Sequence, residues 1–429
     1  MTPAARIAAA IELLGLVQAG RVPMDTLIGD YMRGRRYIGA KDRQTIADSV
    51  YAAMRAHARL GWWIKHLKCD DSPRIRMLLW LVLGVQMPLK HIRDRFDGSK
   101  YGPSQLGEDE ASLIAQLEGG SLTHADIPDI VRVECPFCYE DDLRARFGDD
   151  FAEEMTAMLD SAPIDLRVNT MHASRDSVQT MLAEDGITAR PTRLSPWGLR
   201  LESRAHLATT KAYKKGLISI QDEGAQLIAL ACDPAPGRKI LDYCAGAGGK
   251  TLALANAMAG RGRLVATDTD AKRLANAEPR LRRQGLHDCV ECRGLNEPRN
   301  RKWLKRQKGV FDTVLADVPC SGTGTWRRNP DQRWYSSGPA LDSLQAEQAA
   351  ILDTLANKVR PGGKLVYATC SLLPRENEAQ LAGFLARHPE FRQVTPPYVP
   401  VDDDNTMRLS PYRHGTDGFF AAVLARINQ

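Results

Sequence analysis

Two cysteines stand where chemistry could be done, each just after a short apolar run. Asp317-Val318-Pro319-Cys320-Ser321-Gly322-Thr323-Gly324 follows Val314-Leu315-Ala316, a run short enough to be a buried strand. Pro319, Gly322 and Gly324 keep the next stretch out of helix, so Cys320 is expected on a loop past a strand's carboxyl end, where ligands and chemistry collect in open α/β sheets. Cys370 is placed in the same way after Leu365-Val366-Tyr367-Ala368-Thr369, a run entered through Arg360-Pro361-Gly362-Gly363. One such cysteine is as readily a small buried hydrophobe as a functional group. Two of them, ending two strands of one expected sheet, favour a site.

Upstream, Asp242 to Thr251 (Asp-Tyr-Cys-Ala-Gly-Ala-Gly-Gly-Lys-Thr) reads as strand end, glycine-rich turn and helix start, continued by Leu252, Leu254 and Ala255. Asp242, Cys244, Ala245, Gly246, Ala247, Gly248, Gly249 and Lys250 are therefore candidate cofactor contacts, because such a turn lets a ligand approach the backbone closely. Leu264-Val265-Ala266-Thr267-Asp268 is a second strand ending in a carboxylate, the position from which an acid accepts hydrogen bonds from ribose hydroxyls. The first half of this domain is thus expected to hold a nucleoside. A nicotinamide-linked dehydrogenase would use similar parts, but Gly246, Gly248 and Gly249 lack the Gly-x-Gly-x-x-Gly spacing, and that chemistry leaves the cysteines without a role.

With these residues in view, the chain resembles the RNA cytosine-C5 methyltransferases of the RsmB/Nop2/Sun family. The resemblance rests on Asp242 to Thr251, Thr267-Asp268, Asp317 to Gly324, Trp326-Arg327-Arg328-Asn329-Pro330-Asp331 and Ala368-Thr369-Cys370-Ser371, in that order. Weaker similarity runs from Leu166-Arg167-Val168-Asn169-Thr170 through Gly216 to Glu223 and on to Asp417-Gly418-Phe419-Phe420. The chain departs from the family's pattern in three places. Ala247 stands where proline is usual, Asn296 where an adenine-side Asp is usual, and Phe137-Cys138-Tyr139 where a tryptophan is common.

The resemblance implies a class I, Rossmann-like α/β methyltransferase domain, S-adenosyl-L-methionine as cofactor, and Asn296, Asp317 and Pro319 among the cofactor contacts. It makes Cys370 the nucleophile that adds to C6 of cytosine, which activates C5 toward the methyl group, and assigns Cys320 to product release. Asp317 would hydrogen-bond the base's N3 and exocyclic amine, and Lys250 would steady the cofactor or base. The target cytosine is expected to be unpaired or flipped out of its stack.

With 429 residues, 43% of them hydrophobic and 26% charged, the chain has the composition of a soluble globular protein. No apolar run approaches the roughly 20 residues of a membrane span. The amino terminus has no basic-then-apolar leader, and nine cysteines at irregular spacings indicate reduced thiols, so a cytoplasmic protein without a membrane partner is expected. Three divisions are expected: a helical domain over 1–135, a small α+β region over 136–234, and the Rossmann-like domain over 235–429. The first resembles the NusB-like RNA-binding domain found in some family members. The net charge of +6 is modest, so its distribution matters more. Arg35, Arg36, Lys41 and Arg43 cluster near the start, while Trp326, Arg327 and Arg328, with Arg333, Trp334 and Tyr335, interleave aromatics and cations in a pattern suited to phosphates and unstacked bases. RNA, ribosomal by the resemblance, is the expected partner of a monomer. Cys135-x-x-Cys138 and Cys289-x-x-Cys292 invite a zinc reading, but the second pair falls on or beside an expected core strand and the pairs lie far apart, so no metal is expected.

Overall fold

The computed structural model describes every residue except Arg21, residues 336–338 and Gln429, and for Tyr335, Pro339 and Ala340 only the backbone. The chain forms two compact units: Met1–Asp160 with Trp326–Ser337, and Ser161–Thr325 with Gly338–Gln429.

The first unit is helical because its apolar residues recur at helical spacing. Helix Pro3–Gln18 begins with a proline, is capped by the Thr2 hydroxyl oxygen, which accepts the Ala5 N–H, and buries Ile7, Ala10, Leu13, Leu14 and Val17. Helix Ala40–Arg55 buries Ile46, Val50, Ala53 and Met54. Ser72 caps helix Pro73–Leu79, which opens into a π turn over Trp80–Gly84. The unit runs on through helices Glu140–Phe147 and Phe151–Ala157, past the boundary expected at 135. It also takes in a segment from far downstream. Trp326 is 1% exposed, Asp331 accepts the Met24 N–H at 3.0 Å, the Arg327 carbonyl accepts from Arg55 at 2.9 Å, and Trp334 stacks on His57 with ring centroids 4.9 Å apart. Burial lowers the pKa of His57 to about 4, so that stack is with neutral imidazole.

The second unit holds two sheets. The smaller contains β1 (Asp165–Val168), β2 (Ala189–Pro191), β3 (Gly198–Leu201) and β4 (Ile218–Ile220), all antiparallel in the order β2-β3-β1-β4, with helix Arg175–Glu184 packed on it. β1 carries Leu166-Arg167-Val168, and Asn169 follows it. Arg167 is buried and donates to Gln221 and Gln284, and Asn169 bonds Asn256 and the Gly216 carbonyl, so these polar residues fasten the small sheet to the larger one's helices.

The larger sheet is built from β5 (Lys239–Asp242), β6 (Arg263–Asp268), β7 (Val290–Gly294), β8 (Phe311–Asp317), β9 (Val359–Thr369), β10 (Phe391–Val394), β11 (Met407–Leu409) and β12 (Phe419–Arg426). Its order is β10-β12-β9-β8-β5-β6-β7, with β11 on β12; β5 to β9 run parallel and β12 returns antiparallel to β9. This is the mostly parallel, Rossmann-like α/β sheet that the resemblance implies, with apolar clusters on both faces. The Arg360-Pro361-Gly362-Gly363 turn lies within β9 as a bulge: pairing jumps from Phe311 with Val359 to Thr313 with Lys364, and Gly362 takes φ +71°.

Candidate active site

The sheet delivers its functional groups to one edge because β5, β6, β8 and β9 are parallel and all end there. After β5 the chain must turn tightly into helix Gly249–Ala257. Gly248 has φ +75°, and a Cβ there would lie 2.6 Å from Cβ of Ala277, so no larger residue fits. The turn is pinned by hydrogen bonds from Ala245 N–H to the Thr267 carbonyl (2.9 Å), from Arg280 to the Ala247 carbonyl (2.7 Å), and from Gly246 N–H to Asp268 Oδ2 (2.8 Å). Asp268 also accepts the Asp270 N–H at 2.7 Å through Oδ1. Beside the turn is a cleft of about 480 Å³, within the usual range for a small-molecule site. Tyr243, Cys244, Lys250, Asp268, Asp317, Pro319, Cys320 and Cys370 line it, together with Asp270, Arg273, Leu295, Glu347 and Phe419, which the sequence pattern does not single out.

Asp242 is fully buried at the end of β5. One carboxylate oxygen accepts the Thr251 hydroxyl at 2.6 Å while Oδ1 has no partner, and burial first, then the charges of Asp317 and Asp268, raises its pKa to about 7. A carboxyl raised on folding binds more protons in the folded state, so stability falls as pH rises from about 4 to about 7. Asp242→Asn should therefore melt higher than the wild-type protein at pH 8, by an amount on the order of a few kcal/mol, with the gap closing toward pH 4. Thermal melts across that range check it, and a gap that does not narrow on acidification would mean that the buried charge of Asp242 is not what separates the two proteins.

At the other side of the cleft, Asp317 ends β8 and Cys370 follows β9. Lys250 Nζ lies 2.6 Å from Asp317 Oδ2. Burial disfavours the lysine's charge, but the Asp317 carboxylate more than offsets this and holds its pKa above the ordinary value. The thiols of Cys320 and Cys370 stand 3.4 Å apart. Their loops are stitched together: the Val318 N–H donates to the Ala368 carbonyl and the Gly324 N–H to the Cys370 carbonyl (3.0 and 2.9 Å). Gly324 has to be glycine because the Gly418 carbonyl would come within 2.2 Å of a Cβ. The hydrogen bond with Cys370, and then burial, push the Cys320 thiol well above the usual range, so it keeps its proton at neutral pH.

The glycine turn, the carboxylate ending the second strand and an acid-rich cleft at the carboxyl edge of this sheet fit a ribose-bearing, positively charged nucleoside cofactor, the site that an S-adenosylmethionine-dependent methyltransferase needs. Residues 229–425 match the family model of the 16S rRNA methyltransferases RsmB/F, and residues 139–208 match the ferredoxin-like domain of the RsmF/B-like methyltransferases. The chain is 35% identical over 408 residues to ribosomal RNA small subunit methyltransferase B of Citrobacter koseri, a match covering 91% of this chain and 92% of that protein. It is 36% identical over 268 residues to the protein of the same name from Pasteurella multocida, there covering 62% of this chain and 59% of that one, so against this relative it spans about three fifths of the length. The crystal structure of PH0851 superposes with a TM-score of 0.77 at 27% identity, covering 99% of each chain. The chain belongs to the RsmB/F methyltransferase family, and S-adenosyl-L-methionine is its cofactor.

Some expected contacts lie elsewhere. Asn296 is exposed and outside the cleft lining; its amide oxygen folds back to within 2.6 Å of where a Cβ on Gly294 would sit, and Leu295 takes the place beside the cleft. The pattern around Trp326 and Arg327 suggests an RNA-facing surface, but these residues are 1% and 7% exposed. The Trp326 ring packs 6.0 Å from Tyr139 and under the Arg333 guanidinium, 4.7 Å away, so it serves as core. Arg328 is half-buried, and the side chain of Tyr335 lies outside the described residues. In the amino-terminal cluster, Arg35 stacks on Tyr31 and pairs with Glu12, and Arg43 donates to the Ile38 carbonyl, whereas Arg36 and Lys41 are exposed. Cys135 is buried and Cys138 and Cys292 are exposed; among the described residues no three potential ligands gather for a metal, and no helix is long and apolar enough to cross a membrane.

Proposed function

We propose that this protein methylates C5 of a cytosine in ribosomal RNA of the small subunit through a covalent adduct with Cys370, acting as a monomer. The observation that carries the reading is the pair of thiols 3.4 Å apart beside the Lys250–Asp317 ion pair, at the end of the cleft opposite the acid of β6. C5 of cytosine is too weak a nucleophile to take a methyl group unaided. Addition of the Cys370 thiolate to C6 places electron density on C5, with Asp317 hydrogen-bonding N3 and the exocyclic amine as charge gathers there. When bound, S-adenosylmethionine supplies the electrophilic methyl group. The proton then leaves C5 and the Cys370 sulfur is eliminated from C6, with Cys320 assisting release. The target is favoured as a ribosomal RNA by the names of the relatives, and as an unpaired or flipped base because C5 and C6 cannot be reached inside a stacked duplex. The helical unit is read as an RNA-binding domain of NusB-like type, with Arg36 and Lys41 the exposed members of the cluster Arg35, Arg36, Lys41 and Arg43.

Bisulfite sequencing of ribosomal RNA from a strain lacking the protein tests the reading. One small-subunit cytosine should lose its modification, and an unchanged pattern would overturn the proposed target. At the cofactor end, Asp268→Ala should weaken S-adenosylmethionine binding by about 1.5–3 kcal/mol, one to two orders of magnitude in Kd, through loss of a charge-assisted hydrogen bond. Calorimetry on the folded variant measures it, and unchanged affinity would remove Asp268 from the site.

A further inference from the structure

Both thiol loops are anchored on a single carboxylate. Glu376 is completely buried. Its Oε1 accepts the Ser321 N–H at 2.8 Å and the Gln348 amide at 2.9 Å, and its Oε2 accepts the hydroxyls of both Ser321 and Ser371. Ser321 and Ser371 are the residues that follow Cys320 and Cys370. The residues preceding the two cysteines are tied into the same assembly. Gln348 donates to the Pro319 carbonyl at 2.9 Å; the Thr369 hydroxyl donates to Asn377 Oδ1 at 2.6 Å, and Asn377 Nδ2 donates to the Ser371 carbonyl at 2.9 Å. The Glu376 carbonyl is itself held by the Tyr367 hydroxyl from within β9. An ionised carboxylate is acceptor-only and offers about four lone-pair sites, which four donors here use. No amide of the same size can do this, because its nitrogen must face a donor or require a hydroxyl to turn. Burying such a charge is unfavourable unless every lone pair is met, so the donors cannot drift without cost.

We propose that Glu376 is a positioning residue that sets the spacing of the two thiols, acting through Ser321 and Ser371; this rests on the reading that Cys370 and Cys320 share one covalent reaction. Glu376→Gln should lower kcat by about 100-fold, the loss expected from misplacing a reacting group by about 1 Å, while leaving KM for RNA and the Kd of S-adenosylmethionine unchanged. A second readout needs no RNA. Diamide oxidises two adjacent thiols to a disulfide, its azo bond taking up the two hydrogens and two electrons. Formation of the Cys320–Cys370 bond, followed by mass spectrometry, should be fast in the wild-type protein and at least several-fold slower in Glu376→Gln.

A folded Glu376→Gln with wild-type kcat, or one that loses activity while its disulfide forms at the wild-type rate, overturns the proposal. If Glu376→Gln does not fold, the double variant Ser321→Ala, Ser371→Ala carries the same two measurements with the same criteria. Should Cys370→Ala and Cys320→Ala both retain full methyl transfer, the covalent reading fails by itself. The diamide rate still decides whether Glu376 sets the thiol spacing.

Discussion

Cys370→Ala should abolish methyl transfer and leave no protein–RNA adduct, whereas Cys320→Ala should methylate its target once and remain attached to it. The contrast follows from the proposed order of bond changes. Without Cys370 no sulfur adds to C6, C5 stays unreactive, and every later step is lost. Without Cys320 the Cys370 sulfur still adds and C5 still accepts the methyl group, but elimination is impaired and the carbon–sulfur bond persists. Incubation with substrate RNA and labelled cofactor, followed by denaturing electrophoresis, should give a labelled, nuclease-sensitive band of reduced mobility for Cys320→Ala alone. The band appearing for Cys370→Ala instead would exchange the two roles. Full activity in both variants would refute covalent catalysis by this protein. The 3.4 Å separation makes the test demanding, since either sulfur is close enough to stand in for the other.

Trp326→Ala should destabilise the helical unit by about 3–5 kcal/mol, the usual loss for emptying a buried aromatic site. The indole is 1% exposed, and its removal also uncovers Arg333, which lies over the ring and whose pKa burial lowers to about 10. Hydrogen exchange reads the result by region. Helices Pro3–Gln18 and Ala40–Arg55 should lose protection while helix Gly249–Ala257 keeps it and S-adenosylmethionine affinity is unchanged. Had Trp326 been an RNA-stacking residue, the same variant would instead keep its protection and lose RNA affinity.

The features legible in the sequence are those in which local pattern and chemistry coincide. Short apolar runs ended by Asp242, Asp268, Asp317 and Cys370 mark parallel strands with groups at one edge, and Gly248 marks the turn a cofactor needs. Contacts that depend on where a side chain folds were not legible. Asn296 lies on the expected loop but turns back on Gly294, a rotamer choice no spacing encodes. Trp326 with its arginines has the composition of a nucleic-acid surface, and only the packing of a distant helical unit shows that it is core. Glu376 escapes notice because a glutamate in Pro-Arg-Glu-Asn-Glu looks like a solvated charge, and its value comes from serines that lie beside it only after folding.

The excursion of Trp326–Ser337 into the helical unit also bears on how the chain is made. A ribosome delivers domains from the amino terminus, and a first domain ordinarily folds while the second is still being synthesised. In this chain the helical unit emerges early but lacks the strip that fills it until all of Ser161–Thr325 has followed. Its completion therefore waits on a segment that emerges directly after the loop bearing Cys320, so a chain truncated anywhere before that loop carries an unfinished first unit, open to proteases, and no assembled thiol pair.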